Sequence, residues 1–222
     1  LAGILTPDES DFGSTPYDRM VRTAEMQFFD VLPGVNLLAI AEAAGVSADL
    51  AERLFPNEDA LGVAVVENLM VRLIHHLSRR TTAAPAHDPV AQFRALFDGY
   101  VEWAVEHSSS AAVLAERNAA AVAGKRELEK YDRAINGLAQ SLLRRAAGQG
   151  RLVEGLDIKA SVYHGRALTL GLTRMSVSTN PLSRPRDKLA FARACRGVME
   201  QYYGGLFRAP QNGEDQPIRS EA

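Results

Sequence analysis

Apolar residues recur along this chain at three- and four-residue spacing and almost nowhere alternate as a strand's would. Met20, Ala24, Phe28 and Val31 share one face of a first helix over about 17–32, which Pro33-Gly34 ends. A second helix starts at Asn36, whose side chain can accept from the free amides of a first turn, and stops at Gly45. A third follows Ser47 and ends at Phe55, because the residue before Pro56 is pushed out of helical space. A fourth, long helix covers about 58–80, and 81–86 links it to the next. Asp88-Pro89 joins an N-cap to a proline at the first helical position. That helix carries Phe93, Phe97, Tyr100, Trp103 and Ala104 and runs to about His107, with 108–110 as its break. Helices near 110–122, 125–147, 157–178 and 186–207 complete the series, with turns at 148–151 and 181–185. The spacing predicts an all-α fold of about nine helices without an internal repeat. It divides into a flexible arm over 1–16, a small head over 17–61, a larger helical unit over 62–208 and a disordered tail over 209–222.

The most specific pattern lies in residues 36–61. A short helix, a glycine turn, a Ser-capped second helix and the start of a third form a helix-turn-helix, which lays its second helix in the DNA major groove. Gly45 ends the first of these helices in the left-handed conformation that glycine tolerates best. Ser47 caps the next. Val46, Leu50 and Leu54 point inward against Leu37 and Ile40, Phe55 is a buried anchor, and Pro56 redirects the chain. The stretches Ile40-Ala-Glu-Ala-Ala-Gly-Val-Ser47 and Leu54-Phe-Pro-Asn-Glu-Asp-Ala-Leu61 resemble the tetracycline-repressor (TetR) family of one-component regulators. The match covers about residues 17–65. Beyond it the resemblance lies in the order and length of the helices, and Tyr100-Val-Glu-Trp-Ala-Val-Glu-His107 is similar to the first long helix of many C-terminal domains in that family.

The resemblance implies a ligand-responsive transcriptional regulator, most often a repressor. Such a protein binds operator DNA as a homodimer and releases it when a small hydrophobic or amphipathic effector binds. The implied DNA-facing residues are Ser47, Ala48, Asp49, Glu52 and Arg53, with Asn36 and, on the first helix, Arg19 and Arg22 as further contacts. At these positions the chain departs from the family. Ala48 stands where a lysine follows the capping serine, Asp49 replaces a glycine, Glu52 replaces a phosphate-contacting tyrosine, and Glu58 replaces a lysine at the start of the long helix. Phosphate contacts dominate DNA affinity, so these changes bear on function directly.

Charge sharpens the point. The whole chain carries a net charge of only −2, yet residues 1–61 set three arginines against eleven carboxylates, and the first lysine is Lys125. Base-edge contacts survive this balance: Arg53 to guanine, Asp49 or Glu52 to cytosine amino groups. A second reading therefore stands beside the first. It keeps the fold but gives it an acidic head that does not read DNA and binds a small molecule or a protein partner.

The resemblance also implies a pocket enclosed by helices and a dimer built from the last two. Phe97, Tyr100 and Trp103 are candidate pocket residues, the latter two because their polar ends need partners. Plain core is the alternative for each. His164 and Arg174 could contact an anionic or polar ligand or could equally be surface or interface groups. Arg117 interrupts another apolar stretch with the same alternatives, and Met175 is a further ligand candidate. Gly165, Leu168, Gly171 and Leu172 offer a small and apolar face for close helix approach, and Phe191, Val198 and Tyr202 offer its counterpart.

Composition adds exclusions. A content of 46% hydrophobic and 23% charged residues is ordinary for a globular protein. No run of about 18 uninterrupted apolar residues marks a transmembrane helix. The first sixteen residues are acidic, lack Lys and Arg, and do not read as a secretory signal. The single Cys195 permits no intramolecular disulfide and fits a reducing cytosol. His75 and His76 are adjacent, hence about 100° apart on a helix. His87, His107 and His164 are scattered, and no nucleophile motif, phosphate loop or metal-ligand spacing occurs. The expectation is a cytoplasmic binding protein, not an enzyme, with no cofactor, no metal and no membrane association.

Overall fold

The computed structural model describes residues 15–30, 36–121, 126–177 and 187–208. The expected arm (apart from its last two residues), the Pro33-Gly34 break, the 181–185 turn and the expected tail lie outside them. Among the described residues nine helices form: α1 (Pro16–Asp30), α2 (Leu37–Ala43), α3 (Ala48–Leu54), α4 (Glu58–Ala83), α5 (Pro89–Glu106), α6 (Ser108–Ala121), α7 (Arg126–Gly148), α8 (Ile158–Val177) and α9 (Lys188–Leu206). One isolated antiparallel bridge, Leu152 to Phe207, is the β pairing found there, and it ties the α7–α8 turn to the end of α9.

Local chemistry accounts for most boundaries. Asn36 Oδ1 accepts from the amides of Leu38 and Ala39 at 2.9 and 3.2 Å. Asp88 does the same for Val90 and Ala91, and Asp187 for Leu189 and Ala190. Asn57, unrecognised in the sequence, caps α4 through the amide of Ala60. Gly45 turns the chain at φ +64°. Two expectations are corrected. Ser47 stands at the N-cap of α3, but its side chain makes no cap hydrogen bond; the first turn is exposed, so solvent can serve its amides. Residues 108–110 do not break a helix. The break falls on His107 alone, and Ser108–Ser110 form the first turn of α6. The long helix also outruns its expected end at Arg80 and reaches Ala83; in its last turns the hydroxyls of Thr81 and Thr82 donate to the carbonyls of Leu77 and Ser78 at 2.8 Å.

In length and composition α4 alone among the described helices could cross a membrane. Its apolar face is instead the spine of the core, packed on α1, α5, α6 and α7. Leu61, Val65, Leu69, Leu73 and Leu77 are buried along it, each contributing about 1.5–3 kcal/mol relative to exposure. The head, α1–α3, has a smaller core of Met20, Val21, Ala24, Ile40, Val46, Ala51 and Phe55, on which Tyr17 stacks at 5.0 Å. Leu37, Leu50 and Leu54 are only partly buried against it. The first turn of α4 closes the head, where Glu58 Oε1 accepts from the Leu37 amide at 3.4 Å.

Candidate functional site

Two regions carry chemistry: the outer surface of the head and a cavity in the helical body. On α3, Ala51 faces the core while Ser47, Ala48, Asp49, Glu52 and Arg53 face out. Arg53 Nε donates to the carbonyl of Asp49 on its own helix at 3.1 Å. Arg19 Nε donates to the Ala44 carbonyl at 3.2 Å and so closes the end of α2. Arg22 is exposed on α1, and Asn36 is occupied as a cap. Of the outward acids, Glu58 caps α2, whereas Asp49, Glu52 and Asp59 face solvent. The surface brings the sequence-selected residues together, but its cations are partly committed to holding the head.

Between α4, α5, α6, α7 and α8 lies a cavity of about 30 Å³. Leu73 and Leu77 of α4, Phe97 and Trp103 of α5, Leu114 of α6 and Ile135 of α7 give it apolar walls. Tyr100, Asp132, Arg166, Thr169 and Thr173 add polar groups. Arg166 donates to Asp132 Oδ1 at 2.9 Å and to Asn136 Oδ1 at 3.1 Å. Burial pushes the Tyr100 phenol up to about 12, so it stays a protonated donor. Thr169 donates its hydroxyl to the carbonyls of Gly165 and Arg166, while Thr173 Oγ1 is buried without a partner among the described residues.

Phe97, Tyr100 and Trp103 thus line the cavity. His164 and Met175 do not: both are exposed on α8. The cavity-facing residues of that helix are Arg166, Thr169, Leu170 and Thr173. Residues two positions before or after this series point about 200° away. Arg174 instead donates to the Ala115 carbonyl of α6 at 3.3 Å. Arg117 belongs to α6, and its side chain lies outside the described residues. A larger, open groove of about 220 Å³ runs between α5 and α9 past Asp98, Glu102 and Cys195. Two of its carboxylates are engaged, Asp98 by the Tyr203 hydroxyl and Glu102 by Arg80, while Glu106 is exposed.

The residues chosen for a dimer face divide. Leu168 and Leu172 are half-buried against the chain's own core, whereas Phe191 and Val198 on α9 are half-buried without belonging to that packing. Gly171 is exposed, with nothing within 4 Å of a Cβ placed on it. Tyr202 is half-buried and committed within the chain. Its hydroxyl donates to the Ser161 carbonyl at 2.5 Å and lies against Gly165, so it joins α9 to α8 within one chain. The outward stripes are Tyr163, Ala167 and Gly171 on α8 and Ala190, Ala194 and Gly197 on α9. An amphipathic helix turns its most apolar face to its own core first, which leaves a weaker stripe for any partner.

One functional cluster was invisible in the sequence. Both oxygens of Glu25, on α1, lie 2.6 Å from Arg72 Nη2 of α4, and Ser110 Oγ of α6 donates to Glu25 Oε1 at 2.7 Å. The head helix is therefore bonded to two helices that wall the cavity. Its only sequence signal is a carboxylate at the edge of the apolar face of α1; the partners lie 47 and 85 residues away.

No protein-family model and no curated protein matches the chain. Solved structures match it by fold. A TetR transcription regulator from Haloarcula marismortui is 13% identical with a TM-score of 0.71, over 87% of this chain and 98% of its own. The ketosteroid transcriptional regulator of Mycobacterium tuberculosis is 16% identical with a TM-score of 0.66, over 88% and 97%. The protein AibR, solved in complex with isovaleryl coenzyme A and operator DNA, is 15% identical with a TM-score of 0.64, over 83% and 97%. At these identities the likeness is one of fold.

Proposed function

We propose that this chain, which has the fold of the TetR transcription regulators, is a ligand-responsive transcriptional repressor. It acts as a cytoplasmic homodimer that binds operator DNA through its heads and is released by a small effector held in the helical body. A protein of the same fold, AibR, is solved with both a small molecule and operator DNA. The observation that carries the reading is the Glu25 cluster, which bonds the head helix to cavity helices α4 and α6.

The mechanism follows from size. A cavity of about 30 Å³ is far below the roughly 300–1,000 Å³ of a small-molecule pocket, so binding requires the cavity helices to part. Leu114 and Ala115 move with α6, and through Ser110 and Arg72 that displacement reaches Glu25 and α1. An effector that favours the parted arrangement shifts the population of head positions. A tenfold loss of DNA affinity requires a coupling of about 1.4 kcal/mol.

The acidic head supports a second reading, a binding protein of the same fold that does not read DNA. One titration separates the two. The DNA flanking the gene of this protein is offered to it over a range of salt concentrations. The repressor reading expects specific binding at low salt, with a shallow salt slope set by few phosphate contacts. Absence of binding at the lowest salt overturns it and leaves the second reading.

A further inference from the structure

We infer that the cavity between α4 and α8 selects an uncharged, largely apolar effector carrying a carbonyl oxygen, in the class of ketones, esters and lactones, and that Thr173 and Tyr100 donate the hydrogen bonds that read it. This rests on the effector reading above and narrows it.

The first ground is the unspent donor. Thr173 is 5% exposed, lines the cavity, and its hydroxyl has no partner among the described residues. Thr169, one turn earlier on the same helix, returns its hydroxyl to the helix carbonyls. Thr173 does not, and a buried hydroxyl without a partner is a standing penalty that a ligand oxygen removes. Across the cavity the Tyr100 hydroxyl donates to none of the described residues, and burial keeps its proton in place.

The second ground is charge balance. The cavity holds one cation and one anion, and they are bonded to each other: Arg166 to Asp132 at 2.9 Å. A ligand carboxylate would have to take Arg166 from Asp132, and a ligand ammonium would have to take Asp132 from Arg166. Either exchange strands a half-buried charge, which is costly. A neutral molecule asks for neither. The groups left over are two hydroxyls, each able to donate, and a carbonyl oxygen, with two lone pairs, accepts from both at once; it would be set in an apolar body that meets Leu73, Phe97 and Leu114.

Trp103 is the sole tryptophan of the chain and lies in the cavity wall, so its emission reports occupancy directly. The full chain is titrated with 2-nonanone, nonanoate and nonylammonium, which share one alkyl body and differ in the polar end. The expected result is that 2-nonanone binds about tenfold more tightly than either ion. Thr173→Val and Tyr100→Phe each weaken 2-nonanone about five- to tenfold. The ligand-free Thr173→Val protein melts no lower than the parent, which separates lost recognition from lost folding. Tighter binding of nonanoate or nonylammonium overturns the ligand class and leaves the effector reading standing. Unchanged affinity for 2-nonanone in both variants overturns the roles of Thr173 and Tyr100. If none of the three shifts the emission, both the class and the effector reading fail.

Discussion

Gly165 stands where α5, α8 and α9 meet. A Cβ there would lie 2.7 Å from Phe97 Cε1 and 2.7 Å from the Tyr202 hydroxyl. Neither neighbour gives way freely, because Phe97 also packs on Phe93 with ring centroids 4.8 Å apart and Tyr202 holds the Ser161 carbonyl. Gly165→Ala is therefore expected to lower stability by about 1–3 kcal/mol through overpacking. Gly137→Ala, in mid-α7 with nothing within 4 Å of the added carbon, is expected to raise it by about 0.5–1 kcal/mol. Urea unfolding of the pair checks both signs. From sequence, Gly165 suggests close approach by a partner subunit. The closeness is to side chains of the same chain, a distinction that spacing cannot express.

At the scale of elements, periodicity and caps located nearly every helix, because Asn36, Gly45, Pro56 and Asp88 act on their own neighbours. Contacts between helices were not legible. Glu25 meets Arg72 and Ser110 only once α1, α4 and α6 are placed, and no local rule ties those positions. Glu25→Gln leaves Arg72 half-buried without its counter-charge. The expected cost is about 1–2 kcal/mol. The more telling readout is coupling: effector and DNA still bind, but the effector no longer weakens DNA binding as in the parent. Unchanged coupling would remove Glu25 from the pathway. His76, also on α4, gives a pH signature. Burial lowers its imidazole below the ordinary 6.5, against the pull of Glu106 and with the added push of Arg80, His107 and Arg79. The folded form thus resists protonation that the unfolded chain accepts. Its favourable contribution is whole above 6.5 and declines as pH falls from there towards the lower folded value. Thermal melts just below that pH should show the decline, and His76→Gln should flatten it.

For the whole molecule, the proposed homodimer raises the question of which surface would meet a second copy. The outward stripes of α8 and α9 pass through Ala167, Gly171, Ala194 and Gly197, whose small side chains allow close helix approach. Ala167→Arg with Ala194→Arg is expected to yield monomers in sedimentation velocity with the fold retained. Tyr202→Phe, which alters a contact inside one chain, is expected to leave the dimer intact. Dimeric behaviour of the double variant would move the interface elsewhere.

The acidic head has a consequence for the economy of the cell. A chromosome is a vast reservoir of unrelated sites, and most DNA-binding proteins spend their time parked on it, held by the backbone alone. A head with Asp49, Glu52 and Asp59 turned outward gains little from that parking. In the proposed repressor, arrival at the operator would then be decided by base pattern and two-fold spacing, so a small number of copies would remain free to find one address and free to leave it.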